Sequence, residues 1–105
     1  MQKIIRQGDV MLVRDDTIDL TVAKPEKAVR GHYILADGEA TGHAHRVAQV
    51  ATAMWVVSEA VRILQVKAKT TLQHEEHSHL DLDPGLYRVV RQREYSPEAI
   101  RNVAD

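Results

Sequence analysis

The chain has 105 residues, enough for one domain with a modest core, and we expect that domain to span residues 1–105. Apolar residues make up 44% of it, but no apolar run approaches the roughly 20 residues that cross a membrane as a helix. A formal net charge of −1 with scattered Lys and Arg argues against a nucleic-acid binder. Because the chain has no cysteine, any metal site must use nitrogen and oxygen ligands, which excludes thiolate zinc fingers and iron–sulfur clusters.

Location and partners follow from the same features. Residues 1–8 lack the apolar segment of a secretory signal, so we expect a cytoplasmic protein. We expect a small-molecule substrate and no membrane partner. A homodimer is a further hypothesis, because a domain this small leaves apolar sheet surface exposed and symmetric homo-oligomers are common.

The first third of the chain predicts short strands separated by turns. Residues 9–14 are apolar and β-branched, which favours a strand. Residues 18–22 alternate apolar and polar side chains with the two-residue period of a half-buried strand, and residues 24–27 then predict a loop. Residues 32–36 predict another strand, closed by Asp37-Gly38, a pair that supplies the positive φ of a tight turn.

Residues 47–66 admit two interpretations. A helix would place on one face the apolar residues that recur every three or four positions, Val47, Val50, Met54, Val57, Val61 and Leu64. However, residues 54–57 and 61–66 are dense in β-favouring side chains, and residues 58–60 suit a hairpin loop between them. The composition favours strands over the helix.

The last third of the chain predicts strands and one short helix. Residues 67–72 continue the β-rich stretch, and residues 86–95 predict a long strand after the Asp83-Pro84-Gly85 turn. Ser96-Pro97-Glu98 resembles a helix start, which predicts a helix over residues 98–103. Many short strands without intervening helices predict an all-β domain, a small barrel or sandwich with a short C-terminal helix.

Five of the six histidines fall in two short clusters, within residues 43–45 and 74–79. Neutral imidazole is the commonest protein metal ligand near neutral pH. A site with three or four such nitrogens suits zinc, copper, nickel or non-haem iron. The two clusters therefore predict a divalent metal ion as the cofactor, with zinc as the first choice.

The first cluster has the spacing of two ligands on one strand face. Residues i and i+2 of a strand project to the same side, so His43 and His45 would stand together, with Ala44 on the opposite side. The alternative is a pair of surface histidines at the start of a strand. The second cluster favours the metal interpretation.

In the second cluster the backbone conformation decides which rings point inward. In an extended strand His74 shares a face with Leu72 and Glu76, whereas a turn at residues 75–76 would also bring His77 inward. On a helix, His74 and His77 would be neighbours at i and i+3. The alternative is a charged, solvated strand edge. The predicted ligands are His43, His45, His74 and His77.

Carboxylates beside these histidines are candidates for acid–base chemistry. A metal-bound water needs a nearby group that accepts its proton, and we predict Glu76 and then Glu75 as that catalytic base. The segment Gln7-Gly8-Asp9 would place another carboxylate near the site, but it equally suits a turn that starts a strand. The remaining histidine, His32, is interpreted as a strand residue, and His79 has the weakest claim among the clustered ones.

Most of the chain resembles a family of small, largely uncharacterised bacterial and phage proteins. The resemblance rests on the motifs GEATGHAH at residues 38–45, HEEH at 74–77 and QREY at 92–95. It implies a site at these motifs without implying a reaction. A second, partial resemblance is to cupins, through a glycine followed by H-x-H, although here four residues separate Gly38 from His43 and the following glutamate is lacking. It implies a metal site in a β-barrel by analogy.

These features support three hypotheses for function. The first is a lyase or hydrolase that uses a metal ion to activate water, with carbon dioxide hydration included. The second is a cupin-like oxidoreductase with copper, iron or nickel. The third is a non-enzymatic domain whose metal is structural. The identity of the metal and an open coordination position would distinguish them.

Overall fold

The computed structural model describes residues 3–37, 44–58, 60–75 and 77–91. In these ranges the chain is all-β, and none of the four contains a helix long and apolar enough to cross a membrane. The strands are β1 (Ile4–Gln7), β2 (Val10–Arg14), β3 (Lys24–Pro25), β4 (His32–Asp37), β5 (Ala44–Ala48), β6 (Thr52–Ser58), β7 (Val61–Val66), β8 (Thr70–Leu72), β9 (Leu80–Leu82) and β10 (Gly85–Arg91).

One large sheet and two small ones make up the domain. The large sheet has the order β1-β2-β10-β7-β6-β3, with every neighbouring pair antiparallel. Strands β1 and β3 are its edges, so the described strands form an open sheet and not the closed barrel. Strands β4 and β5 form one hairpin, and β8 and β9 form another.

The two small sheets are joined at one point. The main-chain N–H of Arg46 on β5 donates to Gln73 O at 3.0 Å, and Gln73 N–H donates back to Arg46 O at 2.8 Å. Gln73 directly follows β8, so this pair of hydrogen bonds holds β5 alongside β8. The two hairpins consequently lie side by side.

The core combines residues from the large sheet with residues from both hairpins. Alternate side chains of a strand point to one face, which is why a two-residue period of apolar residues builds this core. The large sheet contributes Val10, Leu12, Met54, Leu64, Val66 and Tyr87, and the hairpins contribute Tyr33, Leu35, Ala36, Val47, Leu72 and Leu82.

The strand interpretation of residues 47–66 is confirmed. Strand β5 ends within this stretch, and β6 and β7 pair as an antiparallel hairpin. The helical spacing of apolar residues did not decide the outcome, because the side chains around Met54 and Leu64 are β-favouring and are buried by cross-strand neighbours. Strands at residues 9–14 and 32–36 are also confirmed, as is the described part of the strand predicted at 86–95.

The predicted strand at residues 18–22 is wrong. The main-chain N–H of Thr21 donates to Asp19 Oδ1 at 2.9 Å, and Ala23 N–H donates to Leu20 O at 3.0 Å, so the chain turns here. An aspartate side chain offers the backbone a local partner that competes with strand pairing. The apolar residue at the end of the segment, Val22, is 72% exposed.

The prediction of a loop at residues 24–27 is also partly wrong. Lys24–Pro25 forms β3, which pairs with Val56 and Trp55 of β6. Proline is tolerated there because β3 is an edge strand, where a missing N–H leaves no partner unsatisfied. The predicted helix at 98–103, the residues 92–95 of the last strand and Gly38 of the predicted turn lie outside the described residues.

We expect Leu64→Ala to lower the free energy of unfolding by about 2–5 kcal/mol, because it empties a fully buried position in the core. Urea denaturation followed by Trp55 fluorescence would measure the change. Val22→Ala is the matched control, and it should alter stability by no more than about 0.5 kcal/mol because that side chain is exposed. Equal losses in the two variants would contradict the described core.

Candidate functional site

Two separate segments bring three histidine rings together. His45 lies on β5, and His74 and His77 lie in the loop between β8 and β9. The ring centroids are 4.3 Å apart for His45 and His74, 4.6 Å for His74 and His77, and 5.8 Å for His45 and His77. We call these three rings the histidine cluster. They meet because the hydrogen-bonded pair Arg46 and Gln73 directly adjoins His45 and His74.

The loop between β8 and β9 brings both of its clustered rings, His74 and His77, to the histidine cluster. Strand β8 ends at Leu72 and β9 begins at Leu80, so the described residues of the loop between them, 74–75 and 77–79, belong to neither strand. The main-chain N–H of His77 lies 3.3 Å from His74 Nδ1, to which it donates. The ring of His77 thus lies beside those of His45 and His74 while remaining exposed, and its role as a ligand stays a prediction.

Burial of the cluster decreases from one side to the other. His45 is 5% exposed, His74 is partly buried, and His77 is exposed. Burial, followed by the proximity of His74, lowers the pKa of His45 below its ordinary value. The cluster therefore has a buried inner ring and an outer ring in contact with solvent.

The turn Gln7-Gly8-Asp9, which joins β1 to β2, forms the third side of the cluster. Gln7 is 3% exposed, and its Oε1 lies 2.9 Å from His45 Nδ1. A Cβ atom on Gly8, where φ is 60°, would lie 2.7 Å from His77 Nε2. Two interpretations of this segment follow from the sequence, a carboxylate near the site or a turn that starts a strand. The segment does precede β2, and it also adjoins the histidine cluster, whose role as a metal site stays a prediction.

Asp9 brings a carboxylate to the inner ring. Its Oδ1 lies 3.4 Å from His45 Nε2, and its Oδ2 accepts a hydrogen bond from Arg91 Nη2 at 3.3 Å. Partial burial by itself would raise the pKa of Asp9, but the hydrogen bond and charge of Arg91 outweigh it and hold that pKa below its ordinary value.

Glu75 is held by β5 instead of facing the cluster freely. Its Oε2 accepts from the main-chain N–H of Ala44 at 3.0 Å, and its Oε1 accepts from Arg46 Nη1 at 2.6 Å. The Ala44 bond and then the Arg46 bond lower the pKa of Glu75 to about 2. A carboxylate with so low a pKa is a weak proton acceptor, and both of its oxygens are engaged.

The other predicted site residues have different positions. His43 and Glu76 lie outside the described residues. His32 begins β4, with its Nδ1 3.2 Å from the carbonyl oxygen of Arg30, and His79 is exposed in the loop before β9. The ligand and base assignments therefore stay predictions, of which the structure brings His45, His74 and His77 to one place.

The cluster does not yet have the geometry of a loaded metal site. In the part of the chain that the structure describes, no group of three or more His, Cys, Asp or Glu side chains is arranged to hold a metal ion. The hydrogen bond from His77 N–H engages Nδ1 of His74. Binding of an ion would therefore require the rings to turn and that hydrogen bond to break.

Comparison with known proteins identifies a family. A family model described as a domain of unknown function, DUF8820, matches residues 6–92, which include the Gln7-Gly8-Asp9 turn and the histidine cluster. No curated protein and no solved structure matches the chain.

We expect Gly8→Ala to destabilise the fold and displace the ring of His77. The added Cβ would approach His77 Nε2 to 2.7 Å, and the positive φ adds about 1–2 kcal/mol of backbone strain for a non-glycine residue. Gly31→Ala is the matched control, because Gly31 also has a positive φ but nothing within 4 Å of the added atom. Urea denaturation would measure the loss of stability from backbone strain, which we expect in both variants. The NMR signals of the His77 ring would report its displacement, which we expect only in Gly8→Ala. A His77 ring unmoved in Gly8→Ala would contradict the described contact.

We expect Glu75→Ala to speed hydrogen exchange of the Ala44 amide, because that N–H loses its carboxylate acceptor. Exchange measured by NMR in the native state reports the opening of this bond. Asp81→Ala removes a carboxylate on β9 that is exposed, and it should leave the Ala44 amide unchanged. An unchanged rate in both variants would show that Glu75 does not anchor β5.

Proposed function

The chain belongs to the DUF8820 family of domains of unknown function, and from its site we propose a metal-dependent enzyme that activates water at one divalent ion. The observation that carries the proposal is the meeting of three imidazoles from two distant segments beside a carboxylate. Three histidines with an open fourth position form a known catalytic zinc arrangement. Three of the four predicted histidines, His43, His45, His74 and His77, would hold the ion, and the fourth position would stay open for water.

The spacing of the rings is compatible with one ion. An imidazole centroid lies about 3.2 Å from a zinc ion bound to that ring, so tetrahedral ligands have centroids about 5.2 Å apart. The three separations in the histidine cluster, 4.3, 4.6 and 5.8 Å, lie on both sides of that value. Under this proposal the rings turn towards a common ion, and the hydrogen bond from His77 N–H to His74 Nδ1 breaks, while the strands keep their register.

The gradient of burial supports a catalytic site over a structural one. Structural zinc sites are closed by four protein ligands, whereas catalytic sites keep a position for water or substrate. The inner ring, His45, is buried, and the outer ring, His77, is exposed, so solvent reaches the cluster from one side. A bound zinc ion would supply a water whose pKa is lowered to about 7.

Under this proposal the two neighbouring glutamates, Glu75 and Glu76, have different roles. Glu76 remains the first choice for the base that takes a proton from the water. Glu75 remains a candidate by position, but its bonds to Ala44 and Arg46 favour a role in anchoring the loop that carries His74 and His77 to β5.

The proposed reaction is hydration or hydrolysis of a small molecule at an electrophilic carbon, as a lyase or hydrolase. Carbon dioxide and simple esters are the substrates to try first. Copper, iron or nickel in the same nitrogen and oxygen donors would instead support an oxidoreductase. We also propose that the protein is cytoplasmic and that it forms a homodimer.

Metal content of protein purified without a histidine tag, measured by plasma mass spectrometry, tests the proposal first. We expect about one zinc ion per chain in the native protein and a loss of zinc in His74→Ala/His77→Ala, which removes two cluster rings. His32→Ala/His79→Ala is the matched control, because it removes two imidazoles that lie outside the cluster and should retain the metal.

Other outcomes would redirect or end the proposal. Copper, iron or nickel at full occupancy would favour the oxidoreductase, and unfolding on metal removal without activity would favour a structural ion. Zinc-loaded protein would then be assayed for carbon dioxide hydration and ester hydrolysis. No metal in native protein, and none bound on reconstitution, would contradict the metal site itself.

A further inference from the structure

We propose that the Gln7-Gly8-Asp9 turn is part of the metal site, with Asp9 as a carboxylate ligand in place of one of the outer histidines, so that three protein ligands leave the fourth position open. Gln7 is the positioning residue for His45. Neither residue belongs to the two histidine clusters of the sequence. The role of Asp9 rests on the proposed metal-dependent function. The role of Gln7 also concerns the metal-free protein and can be tested there.

The orientation of the Gln7 amide is fixed by two carbonyl groups. Its Nε2 donates to Leu72 O at 3.1 Å and to Ser78 O at 2.8 Å. These bonds use both hydrogens of the NH2 group, so Oε1 must face the other way, where it lies 2.9 Å from His45 Nδ1. An amide oxygen only accepts hydrogen bonds, so His45 Nδ1 must carry the hydrogen.

This hydrogen bond leaves the other ring nitrogen of His45 free to bind a cation. A neutral imidazole has a single N–H, so Nε2 presents a lone pair when Nδ1 is the donor. That lone pair faces Asp9 Oδ1 at 3.4 Å. While the ring is neutral with its hydrogen on Nδ1, no hydrogen lies between these two acceptors, and a metal cation placed between them would be attracted to both.

The distance between these two acceptors fits a shared metal ion. Two ligand atoms that each lie about 2.1 Å from a tetrahedral zinc ion are about 3.4 Å apart. The separation of His45 Nε2 and Asp9 Oδ1 is 3.4 Å before any ion is added. This pair therefore already has the spacing of one edge of the coordination tetrahedron, while the outer histidine that binds with them has still to turn.

Two neighbours hold Asp9 in this place. Arg91 Nη2 binds Oδ2 of the carboxylate at 3.3 Å, which directs Oδ1 towards His45. Gly8 has no side chain, and only a residue of that size lets the turn approach His77 so closely. The hydrogen bond from Gln7 to the His45 ring is the kind of outer contact that orients a metal ligand and sets its tautomer.

NMR of histidine-labelled, metal-free protein at about pH 8, above the ordinary histidine pKa of about 6.5, tests the role of Gln7. The nitrogen shifts distinguish the two tautomers, and we expect His45 to be protonated at Nδ1. In Gln7→Met the amide oxygen is replaced by a thioether sulfur, a much weaker acceptor for that hydrogen, so the ring should shift towards the Nε2–H form. Gln65→Met is the matched control, because Gln65 binds Trp55 Nε1 and lies outside the cluster.

Zinc affinity, measured with a competing chelator on the same proteins, tests the ligand role of Asp9. We expect Asp9→Asn to weaken zinc binding by about tenfold or more, and Gln7→Met to weaken it by about 10–100-fold. Asp81→Asn removes the same charge from an exposed position on β9 and should bind zinc as the native protein does.

The outcomes separate this proposal from the broader one. A native protein with His45 protonated at Nε2 overturns the role of Gln7, even if Gln7→Met does not fold. Zinc affinity in Asp9→Asn equal to that in Asp81→Asn overturns the ligand role of Asp9 while leaving a histidine site. If native protein binds no zinc, the proposed function and the Asp9 ligand fail together, and the tautomer of His45 still decides the role of Gln7.

Discussion

The pairing of Arg46 with Gln73 is the interaction on which the arrangement of the site depends. Two main-chain hydrogen bonds between these residues hold the β4–β5 hairpin beside the β8–β9 hairpin. The pair places Val47 and Leu72 over the same core, and it places His45 and His74 side by side. Without that register, the two hairpins would not pack on the same core, and His45 and His74 would not lie side by side.

A buried polar group links the site to the core. Gln7 is almost fully buried, yet each polar atom of its side chain has a partner, in Leu72, Ser78 and His45. A buried amide that is fully satisfied specifies one arrangement, because any other would leave an unpaired donor or acceptor. The end of β1, the loop after β8 and the ring of His45 are thus fixed with respect to one another.

The carboxylates show why the chemistry of a residue type does not by itself assign a role. Glu75 and Asp9 both lie beside the cluster, but Glu75 gives both oxygens to Ala44 and Arg46. Asp9 gives one oxygen to Arg91 and directs the other to His45. The first arrangement suits an anchor, and the second suits a ligand.

The sequence alone determined the all-β class, most of the strands and the two segments that carry the clustered histidines, because these depend on local composition and on the two-residue period of a strand. It did not determine that residues 18–22 turn, since the Asp19 side chain competes locally with strand pairing. Only the tertiary structure decided that the ring of His77 lies beside those of His45 and His74, and that Gln7 and Asp9 adjoin His45. These contacts join residues far apart in the chain, 38 positions in the case of Gln7 and His45. Such contacts follow from the register of paired strands, which no local pattern encodes.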